Sequence, residues 1–146
     1  MVGVPDPQTV AERSAAAMWA ADAASQALGM TLDEVRPGYA RMSMRVRDDM
    51  VNGHSICHGG LVFALADSAF AFACNSYNRA AVAQACDIVF VAPARLGEVL
   101  VAEAVERSRF GRNGIYDVTV TARELVAEFR GRSRQIAGTL AEESQP

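Results

Sequence analysis

The sequence contains few cysteines and no paired cysteine motif. Its three cysteines, Cys57, Cys74 and Cys86, are odd in number, and no two form a C-x-x-C pair. The sequence therefore argues against a disulfide framework and for reduced thiols in the cytoplasm. It also lacks a basic N-terminal segment followed by an apolar one, and no apolar run is long enough to cross a bilayer. We therefore expect neither export nor membrane anchoring.

An excess of charge of one sign is also missing. The chain carries 14 basic and 17 acidic residues, for a net charge of -3. Neither a polyanion-binding surface nor an acidic tail dominates, so a nucleic acid is not expected to be the main partner. The length of 146 residues, 51% of them apolar, fits one globular domain that spans residues 1–146.

Turn residues and apolar spacing predict a helix, one or two short strands, a second helix and then four strands. Asp6-Pro7 and Gly29 mark the ends of a helical segment within residues 1–29. Alternating apolar and polar residues predict a half-buried strand over 39–47. Four more strand-like segments follow the second helix, with a hairpin loop at residues 111–114. They cover residues 82–91, 98–110, 115–124 and 126–140.

The second helix is predicted over residues 59–77 and is apolar almost all round, so it must be buried on nearly every side. The element order therefore predicts an α+β domain in which one antiparallel sheet wraps a central buried helix. Such a sheet keeps free edges and much apolar surface, and we expect a dimer or a dimer of dimers to cover them.

Asp67 is a carboxylate in the middle of this apolar helix. Burial of an unpartnered ionised carboxylate costs several kcal/mol or more, so Asp67 must be paired, protonated or retained for function. A structural carboxylate bonded to the backbone or to an arginine of the sheet, and a catalytic carboxylate, both remain open.

His58-Gly59-Gly60 stands at the start of the same helix. The first N–H groups of a helix lack partners, and glycines let a substrate carbonyl approach, so this point suits an oxyanion hole. The alternative is that the two glycines only mark the start of the helix. Gly59 and Asp67 are eight residues apart, roughly 12 Å along one helix. One carbonyl cannot touch both, so a shared reaction requires the amide of one subunit to face the carboxylate of another across a two-fold axis.

Several separated blocks of the sequence resemble one known family. The blocks are Asn52-Gly53-His54, Cys57-His58-Gly59-Gly60, Leu65-Ala66-Asp67, residues 70–76, Ile115-Tyr116-Asp117 and Phe129-Arg130-Gly131. In their order and spacing they resemble the hot-dog thioesterases of the phenylacetic acid degradation (PaaI) type, over most of the chain.

The resemblance implies a tetrameric hot-dog enzyme that hydrolyses aryl- or arylacetyl-CoA thioesters, such as phenylacetyl-CoA and hydroxyphenylacetyl-CoA. It implies that Asp67 is the general base or the nucleophile and that the Gly59 amide polarises the thioester carbonyl. Asn52 would position the water or the substrate, and His58 would support the loop or the carbonyl. It implies no metal and no cofactor apart from the coenzyme A of the substrate itself.

Other residues are expected to contact the substrate. Arg130, Arg132 and Arg134 alternate along the last strand and share one face, where guanidinium groups suit the phosphates of coenzyme A; a solvated outer face is the alternative. Arg112, in the hairpin loop, is a further candidate for phosphate binding. Gly60 and Ser68 adjoin the two catalytic positions, although Ser68 points about 100° away from Asp67 around the helix and could serve packing instead.

Competing functions have weaker support in the residues. His54, Cys57 and His58 could bind zinc, but a fourth ligand at a recognisable spacing is missing. Cys57 beside His58 could be a thiol nucleophile, yet adjacent residues of an extended chain point apart. A hot-dog hydratase or dehydratase would carry its own signature, which is not found. A non-catalytic acyl-CoA sensor would usually need a helix-turn-helix, for which one N-terminal helix does not suffice.

Overall fold

The structure is a computed structural model that describes residues 3–143, and three α-helices and six strands lie in that range. The helices are α1 (Pro7–Ala21), α2 (Ala23–Ala27) and α3 (Gly59–Cys74). The strands are β1 (Thr31–Arg36), β2 (Tyr39–Arg45), β3 (Ala81–Phe90), β4 (Val99–Phe110), β5 (Asn113–Thr121) and β6 (Leu125–Gln135). Among the described residues, none of the helices is long and apolar enough to cross a membrane.

The N-terminal segment contains two helices, which corrects the prediction of one helix within residues 1–29. Asp6 caps α1, because its side chain accepts a hydrogen bond from the backbone N–H of Thr9 at 3.2 Å. The break comes at Asp22, whose side chain accepts from the backbone N–H of Ser25 at 3.0 Å and so begins α2. Met1 and Val2, at the start of the predicted range, lie outside the described residues.

The central helix α3 ends at Cys74 and not at residue 77 as predicted. Asn75 ends it, because the Asn75 side-chain amide donates to the backbone oxygens of Ala71 (2.9 Å) and Ala81 (3.1 Å). Its side-chain oxygen also accepts from the N–H of Ala81 at 2.8 Å. These bonds satisfy a carbonyl at the helix end and fix the first residue of β3.

The six strands form one antiparallel sheet in the order β1-β2-β4-β5-β6-β3. The four predicted later strands all occur, but β6 ends at Gln135 and not at residue 140. Beyond it the chain turns at Gly138, whose φ is +102° and whose carbonyl accepts from the N–H of Ala80 at 3.0 Å. β1 and β3 are the edge strands, and β3 exposes apolar side chains: Val82 (46%), Val89 (61%) and Phe90 (54%).

The inner face of the sheet packs on α3. Phe70 of the helix is buried and meets Tyr116 of β5 and Phe129 of β6, with ring centroids 5.6 and 6.0 Å apart. The helix comes close to β6 at Gly131, where a β-carbon would lie 2.8 Å from atoms of the Phe70 ring. The α+β plan of one antiparallel sheet around a central helix is thus confirmed.

Candidate active site

The loop before α3 is organised by Asn52. Its side-chain oxygen accepts hydrogen bonds from the backbone N–H groups of His54 (2.9 Å) and Ile56 (3.3 Å). Its own N–H donates to the Ile56 carbonyl at 2.9 Å, which closes the loop on itself. The Asn52 side-chain NH₂ has no hydrogen bond within residues 3–143, so this donor is available to a water or a substrate.

His58 is the N-cap of α3. Its Nδ1 accepts a hydrogen bond from the backbone N–H of Gly60 at 3.3 Å, and its own N–H donates to the Met50 carbonyl at 2.8 Å. Because Nδ1 is the acceptor, the proton of the neutral ring lies on Nε2. His58 therefore holds the start of the helix in place, and the Gly60 amide is already engaged there.

The N–H of Gly59 is the first of α3 and has no hydrogen-bond partner among residues 3–143. At this end the helix dipole adds positive potential, so an oxyanion beside the Gly59 amide would be stabilised. Gly59 lines a cleft of about 350 Å³ together with Asn52 and Phe90. A β-carbon at Gly59 would lie 3.0 Å from Cζ of Phe90, so a larger residue there would have to displace that ring.

Asp67 lies further along α3 and is partly buried. Its carboxylate has neither a hydrogen bond nor an ion pair within the described residues 3–143. One helical turn away on either side, Phe63 and Ala71 present apolar surface to the same side of the helix. Burial raises the pKa of the Asp67 carboxyl above its ordinary value, as expected for a group that loses water without gaining a partner.

The cysteines are poor nucleophiles in these surroundings. Burial raises the pKa of Cys57, which is 4% exposed. Burial, with a smaller contribution from the Asp67 charge, raises the pKa of Cys74 to about 12 and also raises that of Cys86. The thiols therefore stay protonated near neutral pH, whereas only the deprotonated thiolate acts as a nucleophile.

Within one chain the two candidate groups are apart. Gly59 begins α3, and Asp67 follows eight residues later, roughly 12 Å along the helix axis. The structure thus brings Asn52, His58 and Gly59 together at one end of α3 and leaves Asp67 at its centre. Ser68 points elsewhere, since its hydroxyl lies 3.0 Å from that of Ser25 in α2.

The arginine row of β6 lies on the outer face of the sheet, where its side chains alternate with inward residues. Arg130 makes two hydrogen bonds to Asp117, at 2.7 and 3.0 Å, and this pairing lowers the pKa of Asp117. Arg132 lies 3.5 Å from Asp87. Arg134 and Arg112 have no ion-pair partner within residues 3–143. The strand period predicted that these arginines share one face of the sheet. It did not predict their acidic partners, which lie on the neighbouring strands β5 and β3.

Phe90 contacts the Gly59 position in the structure, and the spacing of residues along the sequence did not predict this contact. The contact depends on the register of β3 against β6 and on the packing of α3, which place the last residue of β3 beside the first residue of the helix. Among residues 3–143, no group of three or more His, Cys, Asp or Glu side chains could hold a metal ion.

Comparison with known proteins identifies the family. Residues 54–129 match the family described as the thioesterase superfamily. The chain is 43% identical over 134 residues to the acyl-coenzyme A thioesterase PaaI of Escherichia coli strain K12, a match that covers 90% of this chain and 96% of that protein. This chain belongs to the thioesterase superfamily.

Solved structures of the thioesterase superfamily agree with the fold. The structure of the E. coli PaaI protein from the phenylacetic acid degradation operon matches with a TM-score of 0.90, covering 92% of this chain and 99% of that one. The N33D mutant of the phenylacetic acid degradation protein PaaI from Thermus thermophilus is 37% identical, with a TM-score of 0.74 over 77% of this chain and 97% of that one. The predicted PaaI-type thioesterase family and hot-dog fold are confirmed.

Proposed function

We propose that this chain hydrolyses aryl- or arylacetyl-CoA thioesters, such as phenylacetyl-CoA and hydroxyphenylacetyl-CoA, in the cytoplasmic degradation of phenylacetate. The observation that carries the proposal is Asp67, a partly buried carboxylate without a partner among residues 3–143. Carboxylates left unpaired at such a cost are typical of catalytic sites. The 43% identity to an acyl-coenzyme A thioesterase supports thioester hydrolysis in particular.

The proposed reaction needs one base and one oxyanion donor. Asp67 removes a proton from water as the water oxygen attacks the thioester carbon, and negative charge collects on the carbonyl oxygen beside the Gly59 N–H. The tetrahedral intermediate then expels the coenzyme A thiolate, which takes up a proton, and the free acid remains. In the alternative, the Asp67 carboxylate attacks the thioester carbon and expels the coenzyme A thiolate, and water then hydrolyses the resulting anhydride to the free acid and the Asp67 carboxylate.

One experiment tests the reaction and the residue together. Thiol release would be measured with phenylacetyl-, hydroxyphenylacetyl-, benzoyl- and hexanoyl-CoA for the wild type, Asp67→Asn and the control Asp33→Asn, whose carboxylate is exposed on β1. We expect faster hydrolysis of the arylacetyl esters and a loss of about a hundredfold or more in Asp67→Asn only. Failure to hydrolyse any ester, or full activity of Asp67→Asn, would refute the assignment. Label in Asp67 after hydrolysis in ¹⁸O-water under single turnover would establish the anhydride route, because water that Asp67 only deprotonates never bonds to its carboxyl carbon.

We further propose that the active site lies between two subunits of a homodimer, with dimers paired into a tetramer. The separation of Gly59 and Asp67 along α3 supports a shared site, because one thioester cannot reach both in one chain. The exposed apolar side chains of edge strand β3 support pairing there, since its outer edge has no neighbouring strand within residues 3–143.

Mixing two inactive variants tests the shared site. If Gly59 variants and Asp67→Asn are each inactive, a refolded equal mixture should recover about a quarter of wild-type activity, because half of the dimers are mixed and each mixed dimer keeps one intact site of two. An inactive mixture that contains mixed dimers, as shown by mass spectrometry, would place both groups in one subunit.

A further inference from the structure

A second cavity, of about 190 Å³, lies at the C-terminal end of α3, between that end, the β4–β5 hairpin and β6. Its lining includes three arginines, Arg79, Arg109 and Arg112, and the hydroxyl-bearing residues Tyr116 and Ser133. Its nearest point on α3, Cys74, follows Asp67 by seven residues, roughly 10 Å along the helix. The cavity is therefore separate from the site proposed for hydrolysis.

The charge in this cavity is not balanced. Arg109 pairs with Glu106 at 3.1 Å and lies over the Tyr77 ring at 3.7 Å. Arg79 pairs with Glu143 at 3.4 Å, in an exposed contact that solvent screens. Arg112 has no ion pair or side-chain hydrogen bond within residues 3–143, so positive charge is in excess.

Glu106 carries one negative charge and pairs with Arg109, so it leaves the positive charge of Arg112 unbalanced. It already accepts hydrogen bonds from the hydroxyls of Tyr77 and Tyr116, each at 2.9 Å. Burial and the hydrogen bond to Glu106 raise the pKa of Tyr77 to about 12, so the phenol stays neutral and its O–H donates to Glu106. Glu106 therefore already contacts three residues, Arg109, Tyr77 and Tyr116.

Ser133 gives an independent indication of a ligand. It is 5% exposed and lines the cavity, yet its hydroxyl has no hydrogen-bond partner within residues 3–143. No fully enclosed side-chain nitrogen or oxygen among the described residues lacks a hydrogen-bond partner, so the Ser133 hydroxyl, which has none, is open to the cavity. The space in front of it is kept open by Gly114, where a β-carbon would lie 2.7 Å from Oγ of Ser133 and 2.8 Å from Cε1 of Tyr116.

We propose that this cavity binds a small oxyanion of the phosphate class. Guanidinium groups bind phosphate oxygens through paired, charge-assisted hydrogen bonds, and Arg112 is free to supply them. The Ser133 hydroxyl donates a further hydrogen bond from the buried side. The volume admits a phosphate group, which is either inorganic phosphate or the terminal phosphate of a larger molecule.

Binding is tested on the full-length protein with inorganic phosphate as the probe. Isothermal titration at constant ionic strength, with chloride as the reference anion, would compare the wild type with Arg112→Gln, Ser133→Ala and the control Arg123→Gln. Arg123 is exposed and lies outside the cavity, so its loss changes the net charge equally. We expect saturable binding in the wild type and Arg123→Gln, and affinity about tenfold or more weaker in the two cavity variants, the scale of a lost charge-assisted hydrogen bond.

The result that overturns the proposal is the absence of saturable binding, or equal affinity of Arg112→Gln and the wild type. Gly114→Ala, checked for folding by circular dichroism, adds a second test, since its β-carbon fills the space before Ser133 and should abolish binding. Competition identifies the source of the phosphate: displacement by coenzyme A but not by dephospho-coenzyme A points to the 3′-phosphate, and displacement by neither points to the free ion. None of these measurements depends on hydrolysis, so this proposal and the proposed function fail separately.

Discussion

The Phe90 ring lies against the first residue of α3, with Cζ 3.0 Å from the position that a β-carbon on Gly59 would occupy. The contact joins the exposed end of β3 to the start of α3. Gly59 lines the cleft beside Asn52, and its backbone N–H has no hydrogen-bond partner within residues 3–143. A side chain at position 59 must displace this ring, and in the proposed reaction it would crowd the substrate carbonyl.

Gly59→Ala should therefore lower kcat about a hundredfold, the effect of moving a reacting group by about 1 Å, while the fold survives because the exposed Phe90 ring can give way. Kinetics with the preferred CoA ester would measure it. Gly53→Ala is the matched control, since a β-carbon there meets nothing within 4 Å. Wild-type kcat in Gly59→Ala would show that the Gly59 amide does not contact the reacting carbonyl.

Cys57→Ala should keep kcat within about an order of magnitude of the wild type, because removal of a covalent nucleophile would cost far more. Burial raises the pKa of the Cys57 thiol, so little thiolate is present near neutral pH. Iodoacetamide should likewise alkylate the folded protein slowly. A loss in Cys57→Ala as large as that of Asp67→Asn, in a folded variant, would restore the thiol mechanism.

Gly131→Ala should destabilise the fold by about 1–3 kcal/mol, the usual cost of overpacking a core. The added β-carbon would lie 2.8 Å from the Phe70 ring, which is 1% exposed and has no room to move. Urea denaturation would measure the free energy of unfolding. In the double variant with Phe70→Leu the two effects should not add, because the smaller side chain relieves the clash. Strict additivity would show that the contact with Phe70 is not the reason for glycine.

Local pattern was sufficient to predict much of the fold, and it also singled out the residues of the candidate site. Continuous apolarity predicted α3, alternation predicted the strands, and the charge in an apolar helix singled out Asp67. The helix ends were less accurate, because Asp22 and Asn75 act through side-chain hydrogen bonds that composition does not reveal.

Contacts between distant segments could not be predicted in this way. Asp117 and Asp87 both stand opposite Arg130 through the pairing of β5 and β3 with β6, and no spacing along the chain indicates it. The cavity near Ser133 likewise depends on where the β4–β5 hairpin meets the end of α3. Such sites require the register of the sheet, which the sequence pattern leaves open.

Asp67→Asn should raise the melting temperature near pH 7 while it lowers activity. Burial raises the pKa of Asp67 in the folded state, so the unfolded chain ionises first as the pH rises. The carboxylate therefore destabilises the fold above the ordinary aspartate pKa of about 3.9, and asparagine removes this cost. The gain should shrink as the pH falls through about 4 and vanish well below it, where the carboxyl is protonated in both states.

Thermal denaturation of the wild type, Asp67→Asn and Asp33→Asn across this pH range would measure the effect, and the exposed Asp33 should show no comparable gain. In the same window the wild-type kcat should fall as the pH decreases through the raised pKa, because only the ionised carboxylate can accept a proton or attack. A lower melting temperature of Asp67→Asn at pH 7 would mean that the carboxylate holds the fold together. Asp67 would then be a structural residue, and the base would have to be sought elsewhere in the cleft.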